Sequence, residues 1–122
     1  MPDSWCSGMT SLWSLYLQSN AFTRPLPDSI GQLGNLTYLD INDNFFSGQL
    51  PSSLGGLKTM VELYIFDNMF TGTLPSTLNE LSAVVYFQAN NNALSGTVPA
   101  SLSELGGTLF ILSLDNNVLT GI

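Results

Sequence analysis

Apolar positions recur along this chain with a spacing of 24 residues. The pattern is clearest in residues 33–56, LGNLTYLDINDNFFSGQLPSSLGG, and its apolar, asparagine, glycine and proline positions return in residues 57–80 and 81–104. A period in the twenties predicts a solenoid, in which each coil contacts only its neighbours and one hydrophobic column runs through all of them. One asparagine marks each coil, at Asn20, Asn44, Asn68, Asn92 and Asn117.

Each repeat contains a short stretch in which apolar and polar residues alternate, which is the pattern of a half-buried strand. Turn-forming residues follow and end the strand. We expect these strands to be parallel and about 4.8 Å apart. The segments PSSLGGL, PSTLNEL and PASLSEL are too short for a stable α-helix and predict 3₁₀ turns. The five predicted strands are Leu15–Leu17, Leu39–Ile41, Leu63–Ile65, Phe87–Ala89 and Leu112–Leu114.

Both ends of the chain fall inside the repeat. Residues 1–4 align with residues 26–29, which sets Trp5 opposite Ile30, with one extra residue in the next three positions. The fifth coil also carries one extra residue, in the segment LGGTL. We therefore expect one domain over residues 1–122, with about five repeats, as a fragment of a longer array. A native start at the first residue is the alternative.

Composition narrows the possible functions. Two basic residues stand against nine acidic ones, for a net charge of −7 at pH 7. So few basic groups argue against binding to nucleic acid or to an anionic membrane surface. The lack of histidine and the single cysteine exclude histidine-based triads, internal disulfides and cysteine-based metal clusters. No apolar run approaches the roughly 20 residues that cross a bilayer, and the first residues do not have the pattern of a signal peptide.

The motif LxxLxLxxNxFSGxLPxxLxxL, as in residues 33–57, resembles a leucine-rich repeat. Its 24-residue length and S/T-G-x-L/V-P segment resemble the plant-specific subclass found in receptor-like kinase and receptor-like protein ectodomains. The resemblance implies an α/β solenoid, which is a right-handed superhelix with a concave parallel β-sheet and short 3₁₀ turns on the convex side. It also implies a second short strand at the S/T-G segment, and recognition of proteins, peptides or glycans on the concave or lateral face. The cysteine pairs that flank such arrays in the family are absent from this sequence.

Several repeated polar positions have structural explanations. We expect the asparagine of each coil to pair with backbone groups at the turn after the strand, because buried amides are hydrogen-bonded. A row of oxygen-bearing side chains suits Ca²⁺, but turn formation by such residues is the favoured explanation, so we predict no metal site. This row consists of Ser19, Asp43, Asp67, Asn91 and Asn116. A row of hydroxyls leaves ice binding as a remote alternative: Thr23, Ser47, Thr71, Ser95 and Thr120.

Strand residues that alternate with the core should point outward from the concave face. They include all four tyrosines of the chain and the acids Asp40 and Glu62, without a basic residue. Exposed aromatic residues beside hydrogen-bonding groups are typical of binding hot spots, and tyrosine rings suit sugars or a cation. The alternative is that tyrosine is simply common on sheets. The predicted ligand-binding residues are Tyr16, Tyr38, Asp40, Glu62, Tyr64, Phe66, Tyr86 and Gln88.

We therefore expect a recognition module of a cell-surface or secreted protein that binds a neutral or basic protein, peptide or glycan ligand. Asp40 and Glu62 are the only acids among the predicted ligand-binding residues, and an open sheet offers them no cleft. We therefore expect no catalysis and no cofactor. Spacer repeats without their own ligand are the alternative function. The triplet Asn35-Leu36-Thr37 is an N-glycosylation acceptor and predicts a glycan on Asn35.

Overall fold

The computed structural model describes residues 1–121, which form a solenoid. Five parallel strands, one from each coil, make the concave sheet in the order β1-β2-β4-β6-β8. Neighbouring strands pair with a shift of one repeat, so that Leu39 lies opposite Leu63. The prediction of five parallel strands is confirmed. The concave strands are β1 (Ser14–Tyr16), β2 (Tyr38–Asp40), β4 (Glu62–Tyr64), β6 (Tyr86–Gln88) and β8 (Ile111–Ser113).

Each of these strands begins and ends one residue earlier than predicted. The reason lies in the backbone, since Thr37 N–H and Tyr38 N–H both donate to the carbonyl of Trp13 before the first buried leucine is reached. Apolar alternation reports which side chains are buried, whereas the strand is defined by its hydrogen bonds. The shift leaves the facing of every side chain as predicted.

A second set of short strands follows the asparagine in the second to fifth coils, as the resemblance to leucine-rich repeats implies. Two pairs form, β3 with β5 and β7 with β9, and both are parallel. Single bridges from Pro25 to Ser47 and from Thr73 to Ser95 connect the pairs along the same side of the solenoid. These lateral strands are β3 (Ser47–Gln49), β5 (Met69–Thr71), β7 (Ser95–Gly96) and β9 (Val118–Leu119).

Short 3₁₀ helices make up the convex side and confirm the predicted turns. They stack closely, and a Cβ added at Gly55 would stand 2.4 Å from the carbonyl oxygen of Thr77. Only glycine therefore permits this approach between two coils. The 3₁₀ helices are Asp28–Gln32, Ser52–Gly56, Ser76–Glu80 and Ala100–Gly107.

The turn that precedes the first full coil differs from this rule. It is a short α-helix, α1 (Asp3–Gly8), because one extra residue lets Met9 N–H reach back four residues to the carbonyl of Trp5. The α-helical turn rotates Cys6 into the core and leaves Trp5 partly exposed. Trp5 still aligns with Ile30 along the backbone, since each N–H donates to the carbonyl of the proline three residues before it, but Cys6 takes the buried position.

The hydrophobic column between the concave sheet and the convex turns is continuous. Its centre is a stack of phenylalanines, with ring centroids 5.8 Å apart for Phe22 and Phe46 and 6.2 Å apart for Phe46 and Phe70. Leu94 and Leu119 continue this stack in the last two coils. The predicted hydrophobic column is thus confirmed, and it fixes the orientation of every outward strand residue.

The asparagine of each coil from the second to the fifth connects that coil to the preceding one by hydrogen bonds. Asn68 Nδ2 donates to the carbonyl of Ile41 in the preceding coil at 2.9 Å and to that of Phe66 at 3.1 Å. Its Oδ1 accepts the N–H of Phe46 at 3.0 Å. The prediction that these amides satisfy backbone groups is confirmed. The same pattern holds at three other positions: Asn44, Asn92 and Asn117.

The turn just before each asparagine uses a left-handed residue. All members of the polar row considered for Ca²⁺ have φ between 52° and 55°, which short polar side chains tolerate better than most. This conformation supports the turn explanation for the row. A second left-handed position is glycine in later coils, as at Gly72 with φ 73°, but is Arg24 in the first coil, with φ 74°. The first coil therefore keeps the turn without the glycine.

Candidate functional site

The concave sheet brings the predicted ligand-binding residues together in three adjacent rows. Strand pairing sets Tyr38 beside Glu62 and Glu62 beside Tyr86 in the first row. The second row is formed by Tyr16, Asp40, Tyr64 and Gln88, each paired with the next. Phe66 belongs to the third row, just beyond the end of β4. All eight predicted residues therefore contribute to one continuous face.

Four aromatic side chains form a connected group across three coils, which we call the aromatic row: Tyr16, Tyr38, Tyr64 and Phe66. Ring centroids are 4.6 Å apart for Tyr16 and Tyr38, and 5.6 Å apart for Tyr38 and Tyr64. Phe66 continues from Tyr64 at 6.3 Å with its ring at 76°. Edge-to-face and tilted contacts of this kind are favourable in themselves. The aromatic row is thus a preformed surface that loses little conformational freedom when a ligand binds.

Tyr86 does not join the aromatic row. Its ring packs edge-on against Phe110, with centroids 6.2 Å apart. Phe110 is 78% exposed, and Trp13, at the same position of another coil, is 68% exposed. The outward-row argument missed both residues because they precede the strands. The signal that could have found them is the unusual aromatic residue where other coils have Thr37 or Val61.

The alternation of the strand predicts that the side chain of Asp40 projects into solvent, but the structure shows it buried. It is only 6% exposed, because the pairing of strands sets it between Tyr16 and Tyr64 of the adjacent coils. Its Oδ1 accepts hydrogen bonds from the backbone N–H and the side-chain amide of Asn42. Its Oδ2 lies 3.4 Å from the hydroxyl of Tyr38. Asp40 is therefore a buried carboxylate at the base of the site, and hydrogen bonds fix its position.

The tyrosine hydroxyls act as donors toward carboxylates. Tyr64 donates to Glu62 Oε2 at 2.8 Å. Burial raises the pKa of Tyr64, and this hydrogen bond to Glu62 raises it further, well above its ordinary value. Burial and the nearby Asp40 carboxylate also raise the pKa of Tyr38. Both phenols consequently stay neutral at physiological pH, and the negative charge of the face comes from its carboxylates alone.

Neither basic residue of the chain compensates these carboxylates. Lys58 pairs with Glu80 at 2.6 Å on the convex side, and Arg24 belongs to the lateral turn. Within residues 1–121, Asp40 and Glu62 have no basic partner. Buried and half-buried charges without a partner favour the binding of a group of opposite charge.

A shallow depression of about 190 Å³ opens on this face. We call it the Asp40 depression, and it is lined by Asp40, Asn42, Tyr64, Phe66 and Gln88. Larger hollows of about 400 Å³ lie between the convex turns and the lateral strands. They lie among small polar and proline residues such as Ser52 and Pro75, and no ring of the aromatic row lines them.

The remaining features considered in the sequence are glycosylation, metal binding and a membrane span. Asn35 is exposed, and its Nδ2 donates to the carbonyl of Thr10 at 3.0 Å, while Thr37 Oγ1 donates to that of Trp13 at 2.9 Å. The surface position suits the predicted glycan, which stays a prediction. No three Asp, Glu or Cys side chains converge in the described part of the chain to hold a metal ion. Among residues 1–121, no helix has both the length and the apolar character needed to span a membrane.

The family model for the Leucine Rich Repeat matches residues 11–33 and 35–57. The fold is similar to three plant receptor structures. The ectodomain of the membrane receptor kinase GASSHO1/SCHENGEN3 from Arabidopsis thaliana is 33% identical, with a TM-score of 0.94. The plant peptide hormone receptor RGFR1 is 29% identical, with a TM-score of 0.95. The Arabidopsis receptor kinase HAESA is 34% identical, with a TM-score of 0.92. No curated protein sequence matches the chain.

These comparisons cover nearly all of this chain but little of the larger proteins. The alignments include 98%, 99% and 98% of this chain, and 14%, 19% and 20% of the three receptor chains. The chain thus contains leucine-rich repeats, and its fold is similar to that of plant receptor ectodomains. The structures of the three receptors are complexes with CASPARIAN STRIP INTEGRITY FACTOR 2, with RGF2, and with the peptide hormone IDA and the co-receptor SERK1.

Proposed function

We propose that this chain is a non-catalytic recognition module that binds a peptide or protein ligand through its concave face. The observation that carries this proposal is the aromatic row beside two carboxylates that lack a basic partner in the described residues. The receptors of similar fold are complexes with peptide ligands, which supports the same ligand class here. A glycan that stacks on the tyrosines is the alternative ligand.

The charge of the face defines the ligand further. Exposed aromatic groups supply contact area at low entropic cost, and the neighbouring carboxylates repel an acidic partner. The ligand is therefore neutral or basic. The proposed contacts are those predicted from the sequence: Tyr16, Tyr38, Asp40, Glu62, Tyr64, Phe66, Tyr86 and Gln88.

The setting proposed for this function is outside the cell. The similar structures are ectodomains of membrane receptors, and we place this chain in the extracellular part of a secreted or cell-surface protein. Nucleic acid is not among the proposed partners, because the chain has only two basic residues.

A displayed library of random peptides, selected on the folded chain, tests the proposal. The selected peptides should bind at least about tenfold more weakly when Tyr64→Ala and Glu62→Ala are combined, because truncation of a hot spot costs more than ~1.4 kcal/mol. The control is Glu104→Gln, which removes one negative charge from an exposed convex position. Circular dichroism checks that each variant is folded.

The opposite result would support a different function. If no selected peptide depends on the aromatic row or its carboxylates, the concave face is not the binding surface. The repeats would then act as a spacer that positions sites in other parts of a larger protein.

A further inference from the structure

We infer that the Asp40 depression is a subsite for one cationic side chain of the ligand, and that an arginine guanidinium fits it best. This inference rests on the proposed recognition by the concave face and narrows it to a chemical group. Its basis is the arrangement of one carboxylate, two amides and two aromatic rings around a single opening.

The carboxylate at the base of the depression is only half satisfied. Asn42 provides both hydrogen bonds to Asp40 Oδ1. Asp40 Oδ2 has only the hydroxyl of Tyr38, at the long distance of 3.4 Å. Charges removed from water are normally paired and fully hydrogen-bonded. A bound cation would complete the shell of Oδ2, and residues 1–121 supply none.

The walls of the depression favour the same kind of ligand. Tyr64 and Phe66 are in edge-to-face contact at 76°, and both line the opening, so a group bound there lies beside two aromatic side chains. Cations bind to ring faces, and arginine does so most often. The hydrogen bond from Tyr64 to Glu62 brings a second carboxylate beside the same ring, which adds to the negative potential.

Two amides distinguish arginine from other cations. Within the described residues, the Gln88 side chain makes no hydrogen bond, and the side-chain Oδ1 of Asn42 accepts none. A guanidinium carries five N–H donors in one plane and can serve a carboxylate and two amide oxygens together. An ammonium has three donors and no plane to stack. A Ca²⁺ ion would need about six to eight oxygen ligands, whereas one carboxylate and two amides line the depression beside two aromatic rings.

The test uses N-acetyl-arginine methylamide as the probe and N-acetyl-citrulline methylamide as its uncharged analogue of the same shape. Titration is followed by the NMR signals of the side-chain amides of Asn42 and Gln88. We expect saturable shifts with the arginine probe and binding at least about tenfold weaker with the citrulline probe. Equal binding of the two probes, or no saturable shift, would overturn the inference.

Two variants test whether binding of the arginine probe depends on Asp40 itself. Asp40→Asn keeps the shape of the side chain and should weaken the arginine probe about tenfold. Asp115→Asn removes the same charge from an exposed position of the third row and should leave binding nearly unchanged. An effect of equal size in both variants would show general charge attraction and refute a subsite. The wild-type comparison of the two probes remains decisive if Asp40→Asn does not fold.

The peptide library separates this inference from the proposed function. Selected peptides that need Tyr64 and Glu62 but carry no basic residue, and bind Asp40→Asn equally well, would refute the subsite and keep concave recognition. A saturable arginine signal with no peptide that depends on the concave face would keep the subsite and refute peptide recognition by the concave face. Selection of peptides with one essential arginine supports both.

Discussion

Leu63 and Leu112 occupy the same position in two coils of the solenoid, but their surroundings differ. Leu63 is 0% exposed, whereas Leu112 is 41% exposed. Both point inward from the concave sheet, and strand pairing places coils on both sides of Leu63. Leu112 has a described coil on one side only. The position within a repeat decides where a side chain points, and the adjacent coils decide how much it stabilises the fold.

The largest expected effect is therefore a contrast between these two leucines. Leu63→Ala should lower the free energy of unfolding by about 2–5 kcal/mol, because it leaves a cavity in a closed part of the core. Leu112→Ala should cost roughly half as much or less, because much of that side chain already contacts water. Urea unfolding followed by circular dichroism measures both. Equal losses would show that the outer coil is as well packed as the middle one.

A second contrast concerns the asparagine ladder. Asn68 satisfies backbone groups of two coils, whereas the exposed Asn20 donates only within its own turn, to Leu17 and Gln18. Asn68→Ala should cost about 2–3 kcal/mol, since it leaves carbonyls and one N–H without partners. Asn20→Ala should cost under about 1 kcal/mol. The same unfolding experiment applies.

Asn68→Asp sharpens this second contrast. It keeps the oxygen that accepts the Phe46 N–H and loses the donor to Ile41. We expect a loss of stability as large as that of the alanine variant, because the donor side of the amide connects more groups. A loss close to zero would assign the ladder's contribution to the acceptor alone.

The smallest expected effect concerns the turn of the first coil. Arg24→Gly should raise the free energy of unfolding by about 0.5–1 kcal/mol, because glycine adopts the left-handed conformation without strain. Gly72→Ala should do the opposite in a middle coil, where the added Cβ would lie 2.6 Å from Gln49 Cγ. Thermal melting measures both changes. A loss of stability in Arg24→Gly would mean that the arginine side chain itself supports the turn.

The sequence predicts the interior of this molecule well because the interior is local and repeated. Asn68 and Phe70 perform in their coil the task that Asn44 and Phe46 perform in the preceding one, so each repeat confirms the pattern of the others. Side-chain alternation then settles which residues face outward. For the same reason, the residues that make up the concave face could be predicted from the sequence without knowledge of their geometry.

Three features depend on contacts between coils, and the sequence did not predict them. Asp40 is buried by tyrosines that come from the coils on either side. The Asp40 depression arises from the spacing of three neighbouring strands. The α-helical turn α1 arises because one more residue allows a hydrogen bond between residues four apart, where the 3₁₀ turns have bonds between residues three apart. Periodicity within one repeat contains no information about any of them.

The variable length of the convex turns has a consequence for how such a protein can change. The fifth coil has one extra residue, which lies in the longer 3₁₀ helix Ala100–Gly107, yet Gln88 and Ser113 remain paired in register. Insertions on the outer side thus leave the spacing of the recognition surface intact. Gly106 and Gly107 face open space, so an affinity tag or a fluorescent label inserted between them would leave the opposite side undisturbed. Natural selection has the same freedom to lengthen one side of the coil while it refines the other.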